Sequence, residues 1–176
     1  MGADKALLLV DGTALARRVA DGLSAGGADP VVAIGGDLAA LVALGLTAVP
    51  DLHPGEGPLG GILTALAYAT ERGATTLLVA ACDHPDLDGA TVGTLLAGLA
   101  GAPDDVVVAH ARDAQGTIPL LLALRVGPAL TAATARFAAG RRSVRALLEA
   151  VPAVVVANLD GPPLADADRP TDLRGR

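Results

Sequence analysis

Apolar positions along the chain fall into two alternating rhythms. One is the uninterrupted run: "PVVAIG" (30–35), "TTLLVAACD" (75–83), "DVVVAHA" (105–111), "IPLLLAL" (118–124) and "AVVVANL" (153–159). Runs of this length suit strands buried on both faces, as in a sheet covered by helices. The other rhythm is helical. In "GPLGGILTALAYATERG" (57–73), Leu59, Ile62, Leu63 and Leu66 follow i, i+3, i+4, i+7 spacing, with Pro58 near the start and Gly73 near the stop. In "DLDGATVGTLLAGLAG" (86–101), Asp88 is placed to cap, and Val92, Leu95, Leu96 and Leu99 form the apolar stripe. Residues 13–24, 37–45, 127–139 and 141–150 also read as helices. Strands alternating with helices predict an α/β fold with a mostly parallel sheet and right-handed crossovers. One domain is expected over 1–176, with a loop-like tail from Gly161 that ends in a short helix near Leu173.

Composition narrows the picture. A chain of 176 residues is long enough to bury roughly 70% of its unfolded surface in one core. Tyr68 and Phe137 are its only aromatic residues, so that core is packed from Ala, Val and Leu. The net charge of −6 argues against a general nucleic-acid binder, which needs a basic face. A small anionic ligand is still compatible, because a pocket can be locally positive. Cys82 is the single cysteine, which excludes an intrachain disulfide and argues against a zinc cluster. No apolar stretch approaches the ~18 residues of a membrane span, and Ala6–Val10 is shorter than the ~7–15-residue core of a signal peptide. A reduced, cytoplasmic protein with no membrane partner is expected.

In open α/β sheets ligands bind beyond the carboxyl ends of the strands. That rule points to the segment after 31–35, to the loop around 51–57, and to Asp83. Asp83 ends an apolar run in "AACDHPDL", and Pro85 stops the run from continuing. A carboxylate there can hold Mg²⁺ beside phosphate oxygens, or it can close an Asx-type turn on its own backbone. The segment "DLHPGEGPLGG" (51–61) runs from a glycine-rich loop into a helix. Free amides at that helix start, with Gly57, Gly60 and Gly61 allowing close approach, can receive an anion; an ordinary strand-to-helix loop with glycine turns is the alternative. Lys5, which follows Gly2 and Asp4, is the only lysine among 13 basic residues. It is either a phosphate-binding ammonium or a solvated residue at a frayed terminus. His53, His84 and His110 pair with no nucleophile at motif spacing and read as loop or surface residues. Cys82 reads as a small buried strand residue. Arg141, Arg142 and Arg145 are expected in the first turns of a helix, as a solvated face or as a contact to an acceptor phosphate.

Four segments in order carry a resemblance. "MGADKALL" is similar to the second half of a loop of the form LAGGxSxRMGxDKxLL, with Met1 in the place of its internal methionine. "DLHPGEGPLGGILTAL" is similar to a D…GPLxGxxxAL segment, "VAACDHPDL" to a CDxP signature, and "DADRPTDL" (166–173) to a closing [DN]x[DN]TPEDL. Together they resemble the molybdenum cofactor guanylyltransferases, which are MobA-like nucleotidyltransferases. The resemblance spans nearly the whole chain, more weakly around 105–150. It implies a Rossmann-like three-layer nucleotidyltransferase domain with a mostly parallel sheet, whose first strand and glycine loop are missing from this sequence. Met1 is then expected to be an internal methionine of a longer protein, a gene remnant being the competing explanation. The vacant position should leave two neighbouring strands with unpaired backbone groups, unless "KALLLV" slides into it and displaces Lys5.

The resemblance also implies roles. Asp83 would coordinate Mg²⁺, Lys5 would neutralise the phosphates of GTP, and Asp51 would contact the nucleotide, with Gly57 and Gly60 beside it. Asp168 would complete the metal or acceptor site. The implied reaction is transfer of GMP from GTP to the phosphate of molybdopterin with release of pyrophosphate, serving a molybdoenzyme or its chaperone. Two departures bear on this. "AIGGD" (33–37) stands where some members carry an Asn-rich base-contacting segment, and Arg169 stands where Thr is usual. The alternatives are cytidylyl transfer to the same cofactor, transfer to another phosphorylated acceptor, or a non-catalytic cofactor-binding homologue.

Overall fold

A computed structural model of the chain describes residues 5–111 and 120–156. A short 3-10 turn at Lys5–Leu7 leads into β1 (Leu9–Val10) and β2 (Thr13–Ala14), a tight antiparallel hairpin. Asp11 and Gly12 turn it with φ of 49° and 79°. Two consecutive positive φ values suit an Asp-Gly hairpin, and this signal shortens the helix expected over 13–24 to α1 (Leu15–Ala25). There follow β3 (Val32–Ile34), α2 (Leu38–Ala43), β4 (Thr47–Val49), α3 (Pro58–Glu71) and β5 (Thr76–Ala80). Then come α4 (Gly89–Ala100), β6 (Val108–His110), β7 (Leu121–Arg125), α5 (Val126–Ala138), α6 (Val144–Leu148) and β8 (Ala153–Val155). The "KALLLV" segment is a turn and half of this hairpin, so it pairs with neither β3 nor β5.

Four strands form one sheet in the order β5–β7–β6–β8. β7 runs antiparallel to both neighbours, pairing Leu78 with Ala123 on one side and Ala109 with Ala123 on the other, while β6 and β8 are parallel. Hence β5, β6 and β8 point one way and β7 alone points back. β3 and β4 make a separate parallel pair. The mostly parallel α/β arrangement expected from the sequence is present, with β7 as its reversed strand.

Alternation along β7 explains the layers. Leu122 and Leu124 pack into one core with Leu59, Ile62 and Leu66 of α3, Ala129 and Ala133 of α5, and Leu147 of α6. Leu121 and Ala123 face the opposite core, with Val19 and Leu23 of α1 and Val92, Leu95 and Leu99 of α4. A strand with helices on both faces must be apolar at every position, and these four residues are fully buried. A third, smaller cluster around Ala20, Leu41 and Leu46 seats α2 beside β3 and β4.

The helix ends follow local chemistry. Asp37, Asp88 and Ser143 each accept a hydrogen bond from the amide three residues on, at 3.0, 2.8 and 3.3 Å. α3 starts with Pro58 after Gly57, whose φ is 79°. Arg125 donates to the carbonyls of Leu99 and Ala102 at the end of α4 and of Val106 before β6, satisfying helix-end carbonyls with a cation. The helix expected over 141–150 is shorter. Gly140 leaves α5 with φ 78° and Ser143 caps α6, so Arg141 and Arg142 lie between helices and only Arg145 sits within one.

Helices α1 and α4 cross at glycine contacts. A Cβ on Gly22 would stand 2.2 Å from the Leu87 carbonyl oxygen, and one on Gly89 would stand 2.8 Å from that of Ala25. Gly93 of α4 has open space around its Cβ position. Gly22→Ala should therefore destabilise by roughly 1–3 kcal/mol through overpacking, lowering the thermal midpoint by roughly 2–4 °C per kcal/mol. Gly93→Ala should raise it, because alanine gains about 0.5–1 kcal/mol over glycine in a helix. Equal shifts for the two variants in a melting experiment would refute this packing.

The cap on α4 has a pH signature. The Thr91 backbone amide, assisted by its hydroxyl, holds the Asp88 carboxyl below its ordinary value. A depressed carboxyl contributes its stabilisation in full above its unfolded pKa, about 3.9, and loses it as pH falls through the lower folded value. Asp88→Ala should cost about 0.5–2 kcal/mol at neutral pH. In urea titrations across pH, the gap to wild type should close below about pH 4.

Candidate active site

The turn after β5 carries Asp83, which is three residues beyond the strand end. Its Oδ2 faces the Lys5 ammonium at 3.5 Å, and its Oδ1 lies 3.6 Å from His84 Nε2. No backbone amide that follows Asp83 donates to its carboxylate among the described residues, so the Asx-turn alternative is not adopted. Lys5 and Asp83 side chains are 32% and 28% exposed. Lys5 is thus a half-buried partner of the acid across 78 residues of sequence and not a frayed, solvated end.

Arg18 of α1 holds this turn in place. Its Nε donates to the Pro85 carbonyl at 2.8 Å, and its terminal nitrogens reach Asp86 at 3.4 Å and Asp11 at 3.5 Å. The planar fork suits such divergent partners. Sequence reading missed Arg18, because its partners lie on two distant loops and no local spacing announces them.

Two other readings of this turn change. Cys82 lies in the turn and is half-buried, not enclosed within the strand. His84 is only 1% exposed, and its carbonyl accepts from the Leu87 amide at 3.1 Å just before α4. His110 is also buried, in β6, with Nδ1 2.9 Å from the Ala111 carbonyl oxygen. His84 is therefore a buried loop residue and His110 a buried strand residue, so a surface position describes neither.

Asp51 follows β4. Its Oδ1 accepts from the Thr64 hydroxyl at 2.8 Å and from the His53 amide at 2.9 Å, the latter closing an Asx turn. Thr64 Oγ1 in turn accepts from the Leu52 amide at 3.0 Å. Thr64 is a buried hydroxyl on α3 that ties the loop to the helix. Gly35, after β3, packs against Asp51: a Cβ there would come within 3.3 Å of the Asp51 Cβ. The ends of β3 and β4 therefore meet at this acid. One apolar cleft of about 630 Å³ is lined by Gly35 and Gly36 and also by Cys82, next to Asp83.

The glycine loop behaves differently from the anion cradle expected of it. Pro58 offers no N–H, the Leu59 amide donates to the Arg142 carbonyl at 3.0 Å, and the Gly60 amide donates to Gly57 at 3.0 Å. These first amides of α3 are already engaged. Gly60 is glycine because a Cβ would meet His53 at 2.9 Å, and Gly57 because its φ is 79° beside the Arg142 backbone. Arg142 clamps the loop: its Nε donates to Glu56 at 2.6 Å, and its guanidinium lies 3.8 Å over the Phe137 ring, against which His53 also packs. Arg145 instead pairs with Glu149 on the solvated face of α6.

Among the described residues no cluster of three or more His, Cys, Asp or Glu could enclose a metal ion. Asp83 beyond β5 and Asp51 beyond β4 present carboxylates at strand ends. That donor set fits Mg²⁺, which is commonly held by one or two carboxylates with substrate phosphates and water completing its shell. Asp168 and the proposed C-terminal helix near Leu173 lie outside the described residues. No helix among the described residues is long and apolar enough to cross a membrane.

The α/β sheet layered by helices, with an acid and a lysine paired at the turn after a strand, is the fold of a nucleotidyltransferase family. Residues 1–162 match the MobA-like NTP transferase domain, and the chain belongs to that family. It is 34% identical over 149 residues to a molybdenum cofactor guanylyltransferase of Cereibacter sphaeroides, covering 82% of this chain and 77% of that protein. It is 37% identical over 147 residues to the molybdenum cofactor guanylyltransferase of Xanthomonas euvesicatoria, covering 84% of this chain and 70% of that one. In fold it is similar to the molybdopterin-guanine dinucleotide biosynthesis protein A of Archaeoglobus fulgidus. The TM-score is 0.70 at 20% identity, over 98% of this chain and 88% of that one.

Thr64→Val removes the hydroxyl that bridges Asp51 and the Leu52 amide. Stability should fall by about 1–3 kcal/mol, the cost of stranding buried polar partners. Thr64→Ser keeps the hydroxyl and should lose less. Denaturant midpoints for the pair distinguish a structural hydroxyl from a merely space-filling one.

Proposed function

We propose that this chain is a molybdenum cofactor guanylyltransferase, acting as one domain in the cytoplasm. GTP and molybdopterin are its substrates, and a molybdoenzyme or its chaperone receives the product. The observation that carries this reading is the Lys5–Asp83 pair at 3.5 Å, set at a strand-end edge in a chain aligned with guanylyltransferases over more than four-fifths of its length.

The reaction needs no side-chain nucleophile. A phosphate oxygen of molybdopterin attacks the α-phosphorus of GTP, a new P–O bond forms, and the bond to the β-phosphate bridging oxygen breaks in line. Pyrophosphate leaves with that electron pair. What the protein contributes is position and charge. Asp83, with Asp168, would hold Mg²⁺, which supplies neutralisation of the triphosphate when bound. Lys5 then exchanges its carboxylate partner for phosphate oxygens, an exchange within the reach of a flexible ammonium. Asp51, held by Thr64 and the His53 amide, keeps its second oxygen for a nucleotide hydroxyl or base edge. Gly35, Gly57 and Gly60 shape the surrounding backbone, as their close contacts require.

The test is GMP transfer to molybdopterin followed by chromatography of the dinucleotide product. Asp83→Ala should lower kcat by roughly 10²–10³-fold, the scale of removing one preorganised electrostatic group. Titration with GTP and CTP in the presence of Mg²⁺ should favour GTP. Equal or reversed preference would overturn the guanylyl assignment in favour of cytidylyl transfer. Unchanged turnover in Asp83→Ala would remove the assigned site.

A further inference from the structure

A threonine within a helix commonly returns its hydroxyl hydrogen to the carbonyl four residues back. Thr70 does so to Leu66 at 2.8 Å, Thr94 to Ala90 at 2.8 Å and Thr131 to Gly127 at 3.2 Å. Thr64 of α3 departs from that habit. The Gly60 carbonyl lies 3.2 Å from its Oγ1, but Asp51 Oδ1 is nearer, at 2.8 Å. A hydroxyl has one hydrogen to donate, and the closer, charged oxygen is the stronger acceptor. The same hydroxyl accepts from the Leu52 amide at 3.0 Å. Thr64 is only 2% exposed, so bulk water does not compete for these bonds.

The consequence falls on the other Asp51 oxygen. Oδ1 receives two protein donors, the Thr64 hydroxyl and the His53 amide at 2.9 Å, and these restrain both side-chain torsions of the acid. Oδ2 takes neither bond. It lies on the side of Gly35, where a Cβ would stand 3.3 Å from the Asp51 Cβ and 4.0 Å from Oδ2. Gly35 follows β3 with φ of 71° and has no side chain to cover that oxygen. The acid is thus divided in use: Oδ1 is tied to α3 and its own loop, and Oδ2 is presented toward the end of β3.

We propose that Thr64 is a positioning residue of the nucleotide site. Its hydroxyl holds Oδ1 from behind and so aims Oδ2, past Gly35, as an acceptor for a hydrogen-bond donor of the bound nucleoside triphosphate. The ligand rests on the guanylyltransferase reading; the addition is a residue that acts on that ligand without touching it. An acceptor fixed in advance loses less freedom when the nucleotide binds. Without the hydroxyl the carboxylate samples other torsions, and the loss appears in nucleotide affinity.

The experiment is a double-mutant cycle on the full chain, read by calorimetric titration with GTP and Mg²⁺. It compares wild type, Thr64→Val, Asp51→Ala and the double variant. Thr64→Val should raise the Kd for GTP roughly ten-fold, the scale of a hydrogen bond to a charged group. In the Asp51→Ala background the same change should leave Kd within about two-fold, because its effect runs through that carboxylate. Thr64→Ser keeps the hydroxyl and should bind as wild type. In turnover, Thr64→Val should raise KM for GTP by a larger factor than it lowers kcat. Where the valine variant does not fold, Thr64→Ala runs the same cycle. Equal weakening in both backgrounds would mean that the hydroxyl supports the fold and nothing more, and the proposal would fail. Wild-type affinity in Thr64→Val would also overturn it. A wild type that binds no GTP would remove the guanylyltransferase reading and this proposal with it, whereas binding without coupling removes the proposal alone.

Discussion

Backbone hydrogen bonding on both edges of an interior strand is the constraint on which this structure depends. A buried amide or carbonyl without a partner costs about 1–3 kcal/mol, so interior strands must be flanked on two sides. β7 meets that demand, lying antiparallel between β5 and β6, and its alternating side chains then feed both aliphatic cores. β3 and β5 meet it on one edge only among the described residues. The open edges face the cleft, whose walls come from α1 and α3, and the candidate site lies where those strands end.

Charge in an otherwise apolar molecule is concentrated where loops must be held. Arg18 fastens the Asp83 turn, Arg125 closes the end of α4, and Arg142 ties the glycine loop to Phe137 and Glu56. Each links segments far apart in sequence through a planar, multidentate group. Lys5 differs in facing Asp83 as a compact ammonium. A point charge on a flexible stem can change partners more readily than a stacked guanidinium.

Much of the fold and part of the site were legible along the chain. Local signals act over a few residues and survived intact: Asp88 and Asp37 cap their helices, Pro58 starts α3, and the apolar runs became β3, β5, β6 and β7. The Asp-Gly turn at 11–12 was readable but overlooked, and β4 was too short and weakly patterned to register. No local pattern marks Thr64, yet it is the hydroxyl that organises Asp51. His84 looked exposed in a Pro- and Asp-rich loop, yet that loop folds inward.

The sequence by itself determined the alternation of strands and helices, the aliphatic core and the acid at a strand end, because periodicity, capping and composition are short-range properties of side chains. Only the tertiary structure decided that Lys5 faces Asp83, that Arg142 and His53 close the glycine loop over an engaged helix start, and that β7 runs backward between its neighbours. Those outcomes depend on which distant segments must share one packed space. Sequence spacing carries no record of that until every buried backbone group has found, or still lacks, its partner.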